Sequence, residues 1–532
     1  MAKKANTKPK VESSGNTKLS ILLAMAMFVL VVDTSIMNVS LSAVVKDLHT
    51  TVSDLQAAIA LEALVSAAFI LISSKLGDIF GRKRAYILGL LGYAVGAIAM
   101  TLTHSLLPVF IFWAIIGGLG ASLLLPAMQS LIHGNFTGAA QRKTYALVGA
   151  AAAIAAAVGP LLGGFLTTYI TWRAGFFLEA VVIAIIMLNL GLVKDVVYKG
   201  PKKIDYVGAL LSVVGMGGVV LGILLWQEGA ESVGLVIAIG LIGLSLLAYW
   251  LIKRKREGKT YLIDPALFKL PHFRLGINQV MLQNIILGGA MIALPIFLQM
   301  TLEYNAMKTG ITLAPLSLTM FAVAILAGKK AGNRRPSSII RLGFILSTLG
   351  LASIIPLIPR THSGWVLALP LMITGAGLGL LVSQLNNYTL APIDEKHVSE
   401  AAGVNSASGS FGLSFGLAMA GGIMLAVLAF SFTNLTNKST VIPPAGKQQI
   451  STTMEHSAEV MSDSQLNALV STETPAVQTE VLHINSQARN RSLQVAMLIP
   501  VIAGLVGIFN SFRMMKLPDI KPSADLEGAT LG

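Results

Sequence analysis

Long apolar runs recur along almost the whole chain, and they are the first constraint on what it can fold into. A helix rises about 1.5 Å per residue, so roughly 20 apolar residues cross the hydrocarbon core of a bilayer. Runs of that kind fall at approximately 19–42, 55–74, 85–103, 108–132, 144–168, 174–193, 206–226, 233–252, 276–300, 310–328, 340–358, 365–388, 402–430 and 491–512. Only 12% of the 532 residues are charged and 54% are apolar, against about 25% charged in an average soluble protein. The sequence therefore predicts an all-α polytopic membrane protein with fourteen transmembrane helices.

The connecting segments decide how those helices are oriented. When the loops are assigned alternately to two sides, one side holds 31 of the 39 Lys and Arg and the other holds 8. The basic side includes Arg82-Lys83-Arg84, Lys199 to Lys203, Lys253 to Arg256 and Lys329 to Arg335. Positive residues stay in the cytoplasm, so both termini are expected there, in a multi-pass protein of the cell membrane. The formal charge of +14 is a topology signal on this reading. No segment couples basic residues to base-stacking aromatics as a nucleic-acid site requires. The Lys-rich start, Met1 to Lys18, is expected to be retained as a polar tail rather than cleaved with the apolar run behind it.

Two carboxylates interrupt the first two spans: Asp33 and Glu62. Glu179, near the start of the sixth, is a third candidate. An acid within hydrocarbon is costly and usually marks a substrate or proton path. Asp33 and Glu62 lie at comparable depth below the short turn that joins their helices, so the hairpin can bring them together. Two close acids in a dry place cannot both ionise cheaply, and such a pair can load and release a proton. Lys and Arg are missing from the middle of every expected span. An acidic cavity favours cationic or neutral cargo over anions.

No cysteine occurs, which removes disulfides, thiolate nucleophiles and Cys-ligated metals. The eight His are scattered over loops and span ends, and no catalytic cluster can be assembled from them, so no enzyme activity is expected. No phosphate-binding G-x-x-x-x-G-K-[ST] string is present. Energy then has to come from an ion gradient or from the substrate's own gradient, with no cofactor. One charge crossing the membrane potential is worth about 2.3 kcal/mol per 100 mV.

Several strings carry a resemblance. The turn after the second span reads Ser74-Lys75-Leu76-Gly77-Asp78-Ile79-Phe80-Gly81-Arg82-Lys83-Arg84, and the fifth span contains Gly159-Pro160-Leu161-Leu162-Gly163-Gly164. The first resembles the cytoplasmic signature G-x-L-A-D-R-x-G-R-K of the major facilitator superfamily, and the second its antiporter signature G-P-x-x-G-G. Asp33-Thr34-Ser35-Ile36-Met37-Asn38-Val39-Ser40-Leu41 looks like the first-span string of the fourteen-helix drug:proton antiporters. Trp172-Arg173, Ile204 to Gly208, Leu294 to Gln299, Gly310 to Pro315 and Gly403 to Gly416 continue the match in the family's order. There are departures. Ser74 and Ile79 replace Gly and Arg of the signature turn. The fourth-span R-x-x-Q-G-x-G is here Ala114-Ile115-Ile116-Gly117-Gly118-Leu119-Gly120, and Glu62 stands where Tyr is usual.

The resemblance implies the major facilitator fold: two six-helix bundles related by a pseudo-two-fold axis, with two linking helices between them. The expected segments are a cytoplasmic tail (1–18), an N-terminal bundle (19–193), the two extra helices with cytoplasmic linkers (194–275), a C-terminal bundle (276–512) with an outer loop (431–490), and a cytoplasmic tail (513–532). The later part of that loop, with Val477, Val481, Leu482 and Ile484 at nearly helical spacing, is equally readable as a short helix or as a flexible loop. Gly328 to Arg334 sits where the second half would repeat the signature turn. The implied function is proton-coupled export, as a monomer, of hydrophobic, chiefly cationic, drugs or similar amphiphiles by alternating access. A lipid exporter on the same fold and a non-transporting membrane sensor are the alternatives. Proton coupling is expected at Asp33, Glu62 and Glu179, and conformational gating at Gly77, Asp78, Gly81, Arg82, Lys83 and Arg84. Gly159, Pro160, Gly163 and Gly164 form the antiporter motif. Asn38, Met291, Phe297, Gln299, Met300 and Gln384 are candidate substrate contacts, although the polar ones serve equally as helix–helix glue.

Overall fold

The computed structural model describes residues 17–136, 138–195, 203–227, 233–329, 335–393, 397–443, 447, 463–471 and 474–518. Most of the two polar tails, the basic loop 196–202, the turn 330–334 that would echo the signature, and much of the outer loop lie outside them. The helices of the first half are α1 (Thr17–Leu48), α2 (Val52–Phe80), α3 (Arg82–Leu102), α4 (Gly118–Asn135, preceded by a π-helical stretch Val109–Gly117), α5 (Gly138–Tyr169) and α6 (Arg173–Leu188). Then come α7 (Tyr206–Gln227) and α8 (Val233–Arg256). The second half holds α9 (Pro271–Ile296, continued by a π turn Phe297–Thr301), α10 (Ala306–Lys329), α11 (Pro336–Ile354), α12 (Ala368–Leu390) and α13 (Val398–Lys438). It ends with α14 (Asp463–Leu469), α15 (Pro475–Ala496) and α16 (Leu498–Met515).

Among the described residues thirteen helical segments are long and apolar enough to cross a membrane. The remaining expected span is α6, only 16 residues long. It stops early because the Asn189 side chain donates to the Ile185 carbonyl and the chain tightens into a 3-10 turn, Leu190–Leu192, a usual way to satisfy terminal carbonyls. In the turn of the first hairpin, Thr51 and Asp54 form a reciprocal capping box that starts α2 at Val52, a few residues ahead of the expected span.

The two halves repeat one pattern of neighbours. In the first, α1 lies on α5, α2 and α3 on α4, and α3 on α6. In the second, α9 lies on α13, α10 and α11 on α12, and α11 on α16. Across the seam α2 meets α13 and α10 meets α5, the same pair with the halves exchanged. This is the two-bundle arrangement with its linking helices. The pair α7–α8 packs together, and α7 leans on both α2 and α13, which places it beside the seam.

Two segments differ in detail from what the sequence alone specifies. The linker between α8 and α9 is packed against the helices. Its Leu262, Ile263 and Leu267 are buried in one cluster with Ile70 and Leu71 of α2, Leu247 and Leu251 of α8, and Ala401 and Val404 of α13. Asp264 fastens it: its carboxylate takes the Lys255 ammonium at 2.5 Å, and its N–H donates to Glu400. Burial would push the Asp264 carboxyl up, but Lys255 and the Ala266 N–H outweigh it and hold it below the ordinary carboxylate range. The second difference is at the opposite end. α13 has 41 residues, roughly 60 Å, about twice the hydrocarbon thickness, because the polar residues after 430 continue the helix. There α15 packs on it, with Val477, Val481 and Ile484 buried. The helical alternative for this part of the outer segment is the one the fold adopts.

Candidate functional site

A cavity of about 360 Å³ opens between the halves, a size suited to a drug-like molecule. Its walls come from α1 (Met27, Leu30, Val31, Thr34, Ser35, Asn38, Val39), α2 (Glu62, Ala63, Ser66), α3 (Tyr93) and α5 (Ala156, Pro160) on one side. Asn284, Leu287, Met291 and Leu294 of α9, Leu313, Leu316, Ser317 and Met320 of α10, and Ser410 and Leu413 of α13 close the other. Among the described lining residues Glu62 is the one charged side chain.

Asp33 lies behind this wall, 1% exposed. The Tyr93 hydroxyl donates to its Oδ2 at 2.7 Å, and the Trp113 indole N–H reaches both carboxylate oxygens at 3.1 Å. Trp113 sits inside the π-helical stretch Val109–Gly117, where the altered winding sets the direction of the indole; such stretches often occur at functional positions. The approach of that segment to α3 depends on Gly96, where a Cβ would stand 3.2 Å from the Phe112 carbonyl. Glu179 of α6 is also buried, 3% exposed, and its Oε1 has no hydrogen-bond partner. Phe176, one turn earlier, meets Trp113 edge-on at 6.5 Å. Asp33 is within electrostatic reach of both Glu62 and Glu179, and Tyr93 of all three acids. Among the described ion pairs none involves these acids.

The six candidate substrate contacts separate. Asn38 and Met291 line the cavity. Phe297, Gln299 and Met300, in and beside the π turn after α9, are buried outside its wall, as is Gln384. Gln299 instead ties the halves together at the end where α1 meets α2. Its Oε1 accepts from Ser42 N–H at 2.9 Å, and its Nε2 donates to the Val39 carbonyl at 3.0 Å.

The antiporter motif forms the adjoining seam. Gly159 faces Ser35 and Gly163 faces Ile36, which brings α5 against α1, and Pro160 lines the cavity. Gly164 faces the other half: a Cβ there would lie 2.7 Å from the Ala306 carbonyl. Beside it, Met307 N–H donates to Thr168 Oγ1 at 3.0 Å.

At the opposite end lies the signature turn. Gly81 joins α2 to α3 at φ +107°, a conformation that favours glycine. Its N–H bonds the Gly77 carbonyl at 3.1 Å. Asp195, which follows α6, accepts from the Lys83 N–H at 3.0 Å, so an acid from another element stabilises the N-terminus of α3. A Cβ on Gly81 would meet Asp195 Oδ2 at 2.8 Å. Arg82 is buried and Arg84 exposed. The Asp78 side chain lies outside what the structure describes. Tyr93, Trp113 and Asp195 escape a reading of the sequence, since the first two are 60 and 80 positions from Asp33 and no local pattern links them.

A chain of this architecture, with a central cavity between two repeated bundles, is a membrane transporter. It belongs to the major facilitator superfamily, whose family description matches residues 23–417. Similar proteins include the probable transport protein HsrA of Haemophilus influenzae, 25% identical over 81% of this chain and 95% of that protein. The multidrug resistance protein Stp of Mycobacterium tuberculosis is 26% identical over 78% of this chain and 77% of its own length. Drug efflux pump JefA of the same organism is 26% identical, with 78% and 82% covered. Among solved structures, an inward-facing bacterial homologue of the lysosomal transporter Spinster superposes with a TM-score of 0.58 at 11% identity, covering 94% of this chain and 98% of that one. A peptide transporter, POT, gives 0.58 at 18%, covering 94% and 96%. These two likenesses concern the fold.

Proposed function

We propose that the chain is a proton-coupled antiporter that exports hydrophobic, chiefly cationic, compounds by alternating access. The observation that carries this is Asp33: a membrane-depth carboxylate with no basic partner described, one aromatic residue away from a cargo-sized cavity. An intramembrane acid so placed is a proton-path residue by default. Glu62 on the cavity wall and Glu179 off it both lie within electrostatic reach of Asp33, so the three acids form one group. The apolar lining with a few hydroxyl and amide groups suits cargo of varied shape, and the relatives named as multidrug resistance protein and drug efflux pump support export of such compounds. The excess of basic residues on the side of the signature turn supports cytoplasmic termini in the cell membrane. On that orientation the Gln299 clasp and the Gly164 seam join the halves toward the outer end.

The test is transport by purified protein in vesicles with an imposed pH gradient. Wild type accumulates a lipophilic cation against its gradient, and Asp33→Asn abolishes the dependence on the pH gradient while the protein remains folded. Equal pH-driven transport by the Asn variant would overturn the assignment.

A further inference from the structure

The two seams between the halves are not alike. Along α2–α13 the contact continues to the signature-turn end. Ser414 donates to the Ala60 carbonyl at 2.9 Å, and a Cβ on Gly403 would stand 3.6 Å from the Ser74 Oγ. There the α8–α9 linker is buried against Ile70, Leu71, Ala401 and Val404, and α7 leans on both helices of this seam. Along α5–α10 the close approaches lie at Pro160 and outward of it: Gly310 meets the Pro160 carbonyl, and Gly164 meets Ala306. Toward the signature-turn end this second seam is uncovered. No residue of α10 from 318 to 327 is buried. On α5, Thr144 and Val148 are buried against α1, where the Thr144 and Ser20 hydroxyls lie 2.7 Å apart. Gly149 is exposed, and a Cβ there would have nothing within 4 Å. Yet it shares a helical face with Ala156 and Pro160 of the cavity wall.

We infer that this cleft is the loading portal: lipophilic amphiphiles dissolved in the leaflet on the signature-turn side pass between α5 and α10 into the central cavity, while α7 and the linker shut the opposite seam to them. The inference rests on the export reading for the chemistry of the cargo and not for what drives transport. Gly149 lies about 16 Å along α5 from Pro160, roughly half the thickness of the hydrocarbon core, so the cleft spans one leaflet. Its lipid-facing rim carries Leu147 and Ile154 of α5 and Leu318 and Leu326 of α10, all exposed. An apolar rim at that depth meets acyl chains, and a solute already dissolved among them need not return to water to reach the cavity. Ala156 of α5 and Met320 of α10 line the cavity, so cleft and cavity share their walls.

The experiment uses positions where bulk can be added without a clash. Gly149→Trp fills the cleft. Gly217→Trp, on α7, is the matched control, since a Cβ at Gly217 also has nothing within 4 Å. Full-length proteins in vesicles are compared by the initial rate of exchange of rhodamine 6G, a lipophilic fluorescent cation, above that of protein-free vesicles; exchange needs no driving gradient. Gly149→Trp is expected to slow exchange about fivefold or more, yet to bind the dye in detergent within about twofold of wild type, because an obstructed path slows arrival and departure together. Gly217→Trp should exchange at the wild-type rate. The chain has no cysteine, so Gly149→Cys gives a single site for a bimane label, a second measurement that does not depend on the Trp variant folding. A phospholipid with a nitroxide on its acyl chain should quench that label more strongly than aqueous iodide does. Unchanged exchange in a folded Gly149→Trp protein, equal slowing in Gly217→Trp, or quenching by iodide alone overturns the inference. A wild type that exchanges no lipophilic probe removes the export reading instead, and the quenching still decides whether the cleft opens to lipid.

Discussion

Single side chains set the chemistry of this transporter, and Asp33 is the one around which the others are arranged. Its two donors differ in what they can be spared. Trp113 also packs on Phe176, so Trp113→Phe removes the indole N–H while keeping an aromatic ring there. A hydrogen bond to an ionisable group is worth roughly 1.5–3 kcal/mol. The variant should therefore bind cargo normally yet export it about tenfold more slowly under a fixed pH gradient, read as initial rates in vesicles. An unchanged rate would mean that the indole is packing and nothing more. The position that follows Trp113 is Ala114, where the family's Arg would stand. Beside a buried alanine, the indole and the Tyr93 hydroxyl supply neutral donors in place of a cation. Their identity was not legible in the sequence, because hydrogen bonds between helices leave no trace in the spacing along any one of them.

At the scale of elements, the outer pair α13–α15 shows how polar sequence becomes ordered helix. Arg489 of α15 is 1% exposed and meets Asp463 of α14 at 3.2 Å. Asn485 donates to the same carboxylate, and the adjoining Ser464 N–H donates to Glu303 in the turn before α10. The short helix is thereby fixed to both the stalk and the second bundle. Arg489→Ala is expected to destabilise the folded protein by about 2 kcal/mol, below the full penalty for breaking a buried pair because Asp463 is half exposed. Thermal unfolding in detergent would register this as a lower midpoint, with partial recovery in Arg489→Lys. An unaltered midpoint would show that the pair contributes nothing net. Apolar spacing at Val477, Val481 and Ile484 hinted at a helix here, but only its docking on α13 decided between helix and loop, since an isolated amphipathic segment of this length is marginal in water.

For the whole molecule, the seam between the halves is where alternating access must act. Gly164 against Ala306 and Gln299 against α1 lie at the same end of the seam, and a Cβ on Gly164 would stand 2.7 Å from the Ala306 carbonyl. Gly164→Leu should keep the halves apart there and favour the opposite state. The chain has no cysteine, so Asn38→Cys gives a single reporter in the cavity. In the Gly164→Leu background a membrane-impermeant maleimide added from the outer side should label it about tenfold faster, corresponding to about 1.4 kcal/mol in the balance of states. Equal labelling would show that the seam does not govern access.

Hydrophobic length and the placement of Lys and Arg determine the number, order and expected sidedness of the spans, because transfer of apolar and charged groups to the bilayer is a property of each segment by itself. The sequence likewise exposed the acids, since a carboxylate in an apolar run is conspicuous without any partner. Tertiary structure alone decided which acid faces the cavity, which is held by Tyr93 and Trp113, and that Gln299 clasps the halves instead of lining the site. Those outcomes depend on how helices rotate and approach one another, and that is fixed by packing between segments far apart in the chain.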